Sequence, residues 1–166
     1  DYGSRDIAFI DMTAGLIPQL NTIAHGGSEH ACVLMQGSGT FSVEAALGTL
    51  IPKNGHALIC INGEYGKRIA KICEIIGRKH KILQTAEDQP TTAQMVDAAL
   101  AADPSLTHVS IVHCETSTGI LNPLEEIAAV VAKHKRGLFI DAMSSFGAID
   151  IDARKIRFDG LVAASG

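Results

Sequence analysis

Apolar runs of strand length and amphipathic stretches of helix length take turns along this chain, and that alternation restricts the fold more than any single residue does. ACVLM (31–35) reads as a buried strand, and TFSVEAALGTL (40–50) as a helix with Val43, Ala46, Leu47 and Leu50 on one stripe. ALICI (57–61) reads as a strand. EYGKRIAKICEIIG (64–77) reads as a helix that turns Ile69, Ile72, Cys73 and Ile76 inward and stops at Gly77. HKILQT (80–85) is a short strand, and TAQMVDAALAA (92–102) is a helix capped by Thr91 or Thr92. THVSIVHC (107–114) is a strand, and PLEEIAAVVAKHK (123–135) is a helix with Pro123 in its first turn and lysines in its last. GLFIDA (137–142) and FDGLVAAS (158–165) complete the strands, and the first 24 residues read as mostly helical. Strands joined through helices run parallel and are covered on both faces. The expected fold class is therefore α/β, a three-layer α/β/α sandwich around a mostly parallel sheet.

Composition removes several alternatives. Of 166 residues, 46% are apolar and 19% charged, enough to bury a core and too apolar for a disordered chain. The net charge of −4 comes with no basic run, so no nucleic acid partner is expected. No stretch approaches the roughly 18 apolar residues of a membrane span, so no membrane partner is expected either. The four cysteines, Cys32, Cys60, Cys73 and Cys114, include no C-x-x-C pair and read as reduced thiols of a cytoplasmic protein. The seven histidines lack H-E-x-x-H spacing, and no metal site is expected. No internal repeat or linker divides the chain.

Open parallel sheets bind ligands beyond the carboxyl ends of their strands, so the residues just after each strand carry the information. QGSGT (36–40) opens a helix, with glycines that allow close backbone approach, free N–H groups, and the hydroxyls of Ser38 and Thr40. It reads either as a phosphate cradle or as a tight turn with a cap. The same stretch nearly fits a dinucleotide fingerprint through Gly37, Gly39 and Ser42, with Glu64 further on. NGEYG (62–66) offers Tyr65 as a ring to stack on a flat ligand or to pack on its own helix. HCETSTG (113–119) gathers Glu115, Thr116, Ser117 and Thr118, either for a ligand oxygen or as a self-satisfied turn. LFIDAMSSFG (138–147) ends a strand on Asp141, with Met143 on the same face. A buried carboxylate requires a cation or several donors, and no basic residue stands between Arg136 and Arg154. A ligand cation or a local turn would satisfy it. Together these ends offer an anion cradle, a ring, hydroxyls and a carboxylate, the contacts that pyridoxal 5'-phosphate requires. A dinucleotide uses the first of them and leaves Asp141 idle.

MQGSGTFSVEAALGTLIP, NGEYGKR, HCETSTGILNPLEEI and FIDAMSSFGAIDID resemble the large domain of class V aminotransferases, within the fold-type I pyridoxal-phosphate family. The resemblance covers nearly the whole chain. It implies that Ser38, Gly39 and Thr40 hold the cofactor phosphate, that Tyr65 lies over the pyridine ring, and that Met143 packs on the other face. It further implies that Thr116 reaches the phenolic oxygen and that Asp141 pairs with the ring nitrogen. Small-molecule amine and keto-acid substrates and a homodimer are implied as well. The family's Schiff-base lysine is expected just beyond Gly166. Residues 1–166 are thus expected to be a partial cofactor-binding domain, without the family's opening segment or its C-terminal small domain.

Overall fold

The computed structural model describes residues 2–165; Asp1 and Gly166, the two ends of the expected domain, lie outside the described residues. Helix α1 spans Ile7–Ile23 and α2 spans Gly39–Leu50. Strand β1 (His56–Ile61), helix α3 (Glu64–Ile75), strand β2 (Lys79–Gln84) and helix α4 (Ala93–Ala102) follow. Strand β3 (His108–Val112) leads into the two short strands β4 (Cys114–Glu115) and β5 (Ile120–Leu121). Helix α5 (Leu124–Lys133), strand β6 (Gly137–Asp141) and strand β7 (Gly160–Val162) complete the described chain.

Five strands form one sheet in the order β2-β1-β3-β6-β7, every neighbouring pair parallel. The central strands are buried along nearly their whole length, whereas the edge strand β2 is not. Side chains alternate across the sheet. Leu58, Cys60, Val109, Ile111, Leu138 and Ile140 face one way and pack with α4 and α5. Ala57, Ile59, Ile61, Val112 and Phe139 face the other way and pack with Val43 and Leu47 of α2 and with Ile69, Ile72 and Cys73 of α3. Helices on both faces make the expected three layers. Buried thiols remain protonated here: burial pushes Cys60 up to about 12 and Cys73 up to about 11.

Helix ends follow their local chemistry. The side chain of Ser38 accepts from Phe41 N–H at 3.2 Å to start α2, and that of Thr92 accepts from Met95 N–H at 3.3 Å to start α4. Gly77, at φ 67°, ends α3, and Arg78 N–H donates back to the Cys73 carbonyl at 2.7 Å.

Two expectations are corrected. Residues 31–35 are not a strand: they pair with no other segment among the described residues, and Val33 is 75% exposed. A short apolar run carries no information about a ladder partner, and none is supplied here. The strand expected over 107–114 breaks at His113. Its N–H donates to the Asp141 carbonyl at 2.8 Å, and the chain then turns into an antiparallel hairpin of β4 and β5. Glu115, Thr116, Ser117 and Thr118 therefore sit at a hairpin turn, closed by Gly119 at φ 77°.

Candidate cofactor site

Parallel pairing aligns the carboxyl ends of β1, β3 and β6 along one sheet edge, and a cavity of about 200 Å³ opens there against α2 and α3. Ser38, Gly39, Thr40, Tyr65, Asp141 and Met143 all line it. Thr116 does not. It lies on the hairpin turn, its hydroxyl against that of Ser144, the residue after the lining Met143.

The floor of the cavity is set by Asp141, only 3% exposed at the end of β6. Met143 N–H donates to its carboxylate at 3.1 Å. Among the described residues no salt bridge reaches it. Burial pushes the carboxyl above its usual range, and the Glu115 carboxylate pushes the same way; the Met143 N–H and the Arg68 guanidinium pull it back. Such a group is costly when ionised and gains from a cation placed beside it.

At the α2 end of the cavity, Gly39 and Thr40 begin the helix, where N–H groups lack intrahelical carbonyls. A side chain at Gly39 would come within 3.0 Å of Met143 Sδ and Cε, so the bare glycine lets the end of the methionine pack close to the helix start. A helix start with free donors suits an anion.

Tyr65 is the second residue of α3 and packs against the α2–α3 face of the core. Arg68, one turn further on, places its guanidinium carbon 5.0 Å from the tyrosine ring centre and donates to Thr40 Oγ1 at 3.5 Å. It therefore spans the ring and the helix start. Sequence reasoning passed it over; its three-residue spacing from Tyr65 on a predicted helix was the available signal.

Of the two readings of the Glu115 cluster, the self-satisfied turn fits Glu115, which accepts from the N–H and hydroxyl of Ser117. Fully buried, it turns away from ligand duty and accepts from the N–H groups of Tyr65 at 3.3 Å and Gly66 at 3.1 Å. Behind Asp141, His113 is buried with its Nδ1 3.0 Å from Ser145 Oγ, and burial holds its imidazole below the usual value, so it is uncharged at neutral pH. Elsewhere, His25, Asp150 and Asp152 bring potential ligand atoms within 4.8 Å of one another, but Arg154 occupies both oxygens of Asp152 at 2.8 Å.

Cavity, buried acid and helix start together fit a ligand with an anionic group, a flat ring and a cationic nitrogen. Comparison with known proteins agrees. Over all 166 residues the chain is 60% identical to the 2-aminoethylphosphonate–pyruvate transaminase of Pseudomonas putida strain W619, and it covers 45% of that protein. It is 61% identical to the enzyme of the same name from Pseudomonas fluorescens strain Pf-5 over the same span. The chain thus spans about half the length of the curated relatives it matches. In structure it superposes on pyridoxamine–pyruvate aminotransferase from Mesorhizobium loti with a TM-score of 0.90, at 25% identity, over 98% of this chain and 41% of that one. Alanine–glyoxylate aminotransferase from Nostoc sp. gives 0.88 at 21% identity, over 99% and 43%. These neighbours share the α/β fold of fold-type I. The family model for class-V aminotransferases matches residues 18–166, and the chain belongs to that family.

Proposed function

We propose that this chain is the cofactor-binding part of a pyridoxal 5'-phosphate transaminase that moves the amino group of 2-aminoethylphosphonate to pyruvate, giving phosphonoacetaldehyde and L-alanine. The observation that carries the cofactor is Asp141: a buried carboxylate lining an open cavity, met by one backbone N–H and, among the described residues, by no salt bridge. The names of the relatives at 58–61% identity support the substrates.

Bound here, pyridoxal phosphate would act as an electron sink for bond breaking at the substrate's amine-bearing carbon. Asp141 would accept a hydrogen bond from the ring nitrogen and hold its proton in place. Ser38, Gly39 and Thr40 would donate to the phosphate, with the partial positive end of α2 behind them. Tyr65 and Met143 would bracket the ring and exclude water from its faces. Thr116, now paired with Ser144, would turn its hydroxyl to the phenolic oxygen. The lysine that carries the cofactor and transfers the proton would follow Gly166 in the continuing chain, and a small domain would supply the grip on the substrate acid. Residues 1–166 would then be part of a large domain. Exposed apolar side chains on α1 and the adjoining segment, Ile7 at 70% and Val33 at 75%, favour a homodimer that covers them. No helix among the described residues is long and apolar enough to cross a membrane, and a cytoplasmic enzyme fits the buried thiols.

The test is an amino-donor screen on the complete enzyme loaded with pyridoxal phosphate. Formation of alanine from 2-aminoethylphosphonate and pyruvate is expected. Turnover only with glyoxylate as acceptor would move the assignment to the alanine–glyoxylate or serine–pyruvate type, and failure to retain the cofactor would remove it altogether.

A further inference from the structure

We infer that Glu115 is a positioning residue for the cofactor site, holding the start of α3, and with it the ring of Tyr65, against the cavity. The inference rests on the functional reading above and extends it to a residue that does not line the cavity.

Helix α3 begins without a cap of its own. Its N-cap residue is Gly63, which has no side chain to offer, and the acid in its first turn, Glu64, is bonded instead to Lys67 at 2.7 Å. The missing acceptors come from the hairpin turn some fifty residues away. Ser117 Oγ accepts from Glu64 N–H at 3.0 Å, Glu115 Oε1 from Tyr65 N–H at 3.3 Å, and Glu115 Oε2 from Gly66 N–H at 3.1 Å. Three consecutive donors at the helix start are thus met by two side chains of another element. Ser117 locks the acid from behind, donating from its N–H at 3.2 Å and from its hydroxyl at 2.8 Å. The glycine is part of the device: a side chain at position 63 would fall 2.4 Å from Glu115 Cγ. A carboxylate at a helix N-terminus is also favoured by the helix dipole.

A cap of this kind would stabilise any helix. What ties it to the site is its placement. One of the N–H groups it grips belongs to Tyr65, which lines the cavity, and Thr116 stands between the two capping residues, Glu115 and Ser117, in the same turn. Rotating the first turn of α3 by even a small angle moves the ring relative to Asp141. Glu115 therefore transmits its position to the cofactor through Tyr65 and not by contact.

A double-mutant cycle on the complete enzyme tests this, with Glu115→Gln, Tyr65→Ala and the pair. The readouts are the dissociation constant for pyridoxal phosphate, from the absorbance of the bound cofactor, and the melting temperature of the cofactor-free protein. Glutamine keeps the size but turns an amide NH2 toward an N–H donor. Loss of one charge-assisted hydrogen bond is expected to weaken cofactor binding about 10-fold in the parent background. In the Tyr65→Ala background the weakening should shrink to about 3-fold or less, while the melting temperature falls equally in both. Equal weakening in both backgrounds, or no weakening with normal binding by the parent, overturns the inference and leaves the functional reading intact. A parent that does not bind pyridoxal phosphate overturns both. Should Glu115→Gln fail to fold, Ser117→Ala removes the hydroxyl that locks Glu115 and caps Glu64 N–H, and must show the same dependence on Tyr65.

Discussion

Replacing Gly63 by alanine adds one methyl group, and the space for it is already filled. The new carbon would lie 2.4 Å from Glu115 Cγ, 2.5 Å from Glu115 Cδ and 2.5 Å from Ser117 Oγ. Carbon atoms sit comfortably at about 3.5–4.0 Å, so the acid must retreat by about 1 Å. It is not a free end that can swing aside, because it is fully buried and bonded on both oxygens. A retreat of that size carries the bonds from Tyr65 and Gly66, now 3.3 and 3.1 Å, past hydrogen-bond reach. Two bonds to a charged acceptor at about 1.5–3 kcal/mol each, with overpacking of about 1–3 kcal/mol, outweigh the roughly 0.4–1 kcal/mol that alanine gains by stiffening the unfolded chain. A net loss of about 3 kcal/mol or more is expected. Backbone strain plays no part, since φ at Gly63 is 175°. Urea unfolding of the cofactor-free complete protein, at one fixed protein concentration, should show the midpoint lowered by about 1 M or more. A midpoint unchanged within about 0.2 M would refute the crowding argument. So would a structure of the variant with Glu115 still in place.

Asp141→Asn should stabilise the cofactor-free protein at neutral pH while loosening its hold on pyridoxal phosphate. The carboxyl is raised in the folded state, so its contribution to stability is full below the unfolded value of 3.8 and is lost as pH rises through the folded value. Urea midpoints of parent and variant should therefore diverge as pH climbs from 3.8 through the folded value and keep a steady gap above it, with the variant the more stable; a gap that does not change across that window contradicts the burial argument. Gly15→Ala, in the exposed interior of α1 with nothing within 4 Å of the added carbon, should stabilise by about 0.5–1 kcal/mol, measured by the same unfolding assay, and a loss instead would show that the proposed dimer contact reaches Gly15 itself.

The parts of this fold that were legible in the sequence are those whose burial is written in local periodicity. Ile69, Ile72 and Cys73 had to share a helix face, Gly77 had to end that helix, and strands at 57–61 and 137–141 had to be apolar throughout because both their faces are covered. Asp141 stood out for the same reason, as a charge where the pattern demanded none. What remained hidden depends on partners remote in sequence. Residues 31–35 have the composition of a strand and no ladder beside them. Glu115 reads as one more polar residue in a turn until folding brings the N–H groups of Tyr65 and Gly66 to it. Arg68 lies on a recognisable helix, but only the packing of α2 against α3 puts Thr40 within its reach.

The strand order β2-β1-β3-β6-β7 also governs when the cavity can exist. Its walls come from segments near residues 39, 65 and 141, and they meet only after β1 has paired with β3 and β3 with β6. Each pairing closes a long loop before it returns any contact, so the chain reaches this geometry late. A ligand of the finished cavity therefore finds no docking place on half-assembled chains. Adding it should slow unfolding and leave the rate of assembly unchanged, acting as a latch on the native state and not as a template for reaching it.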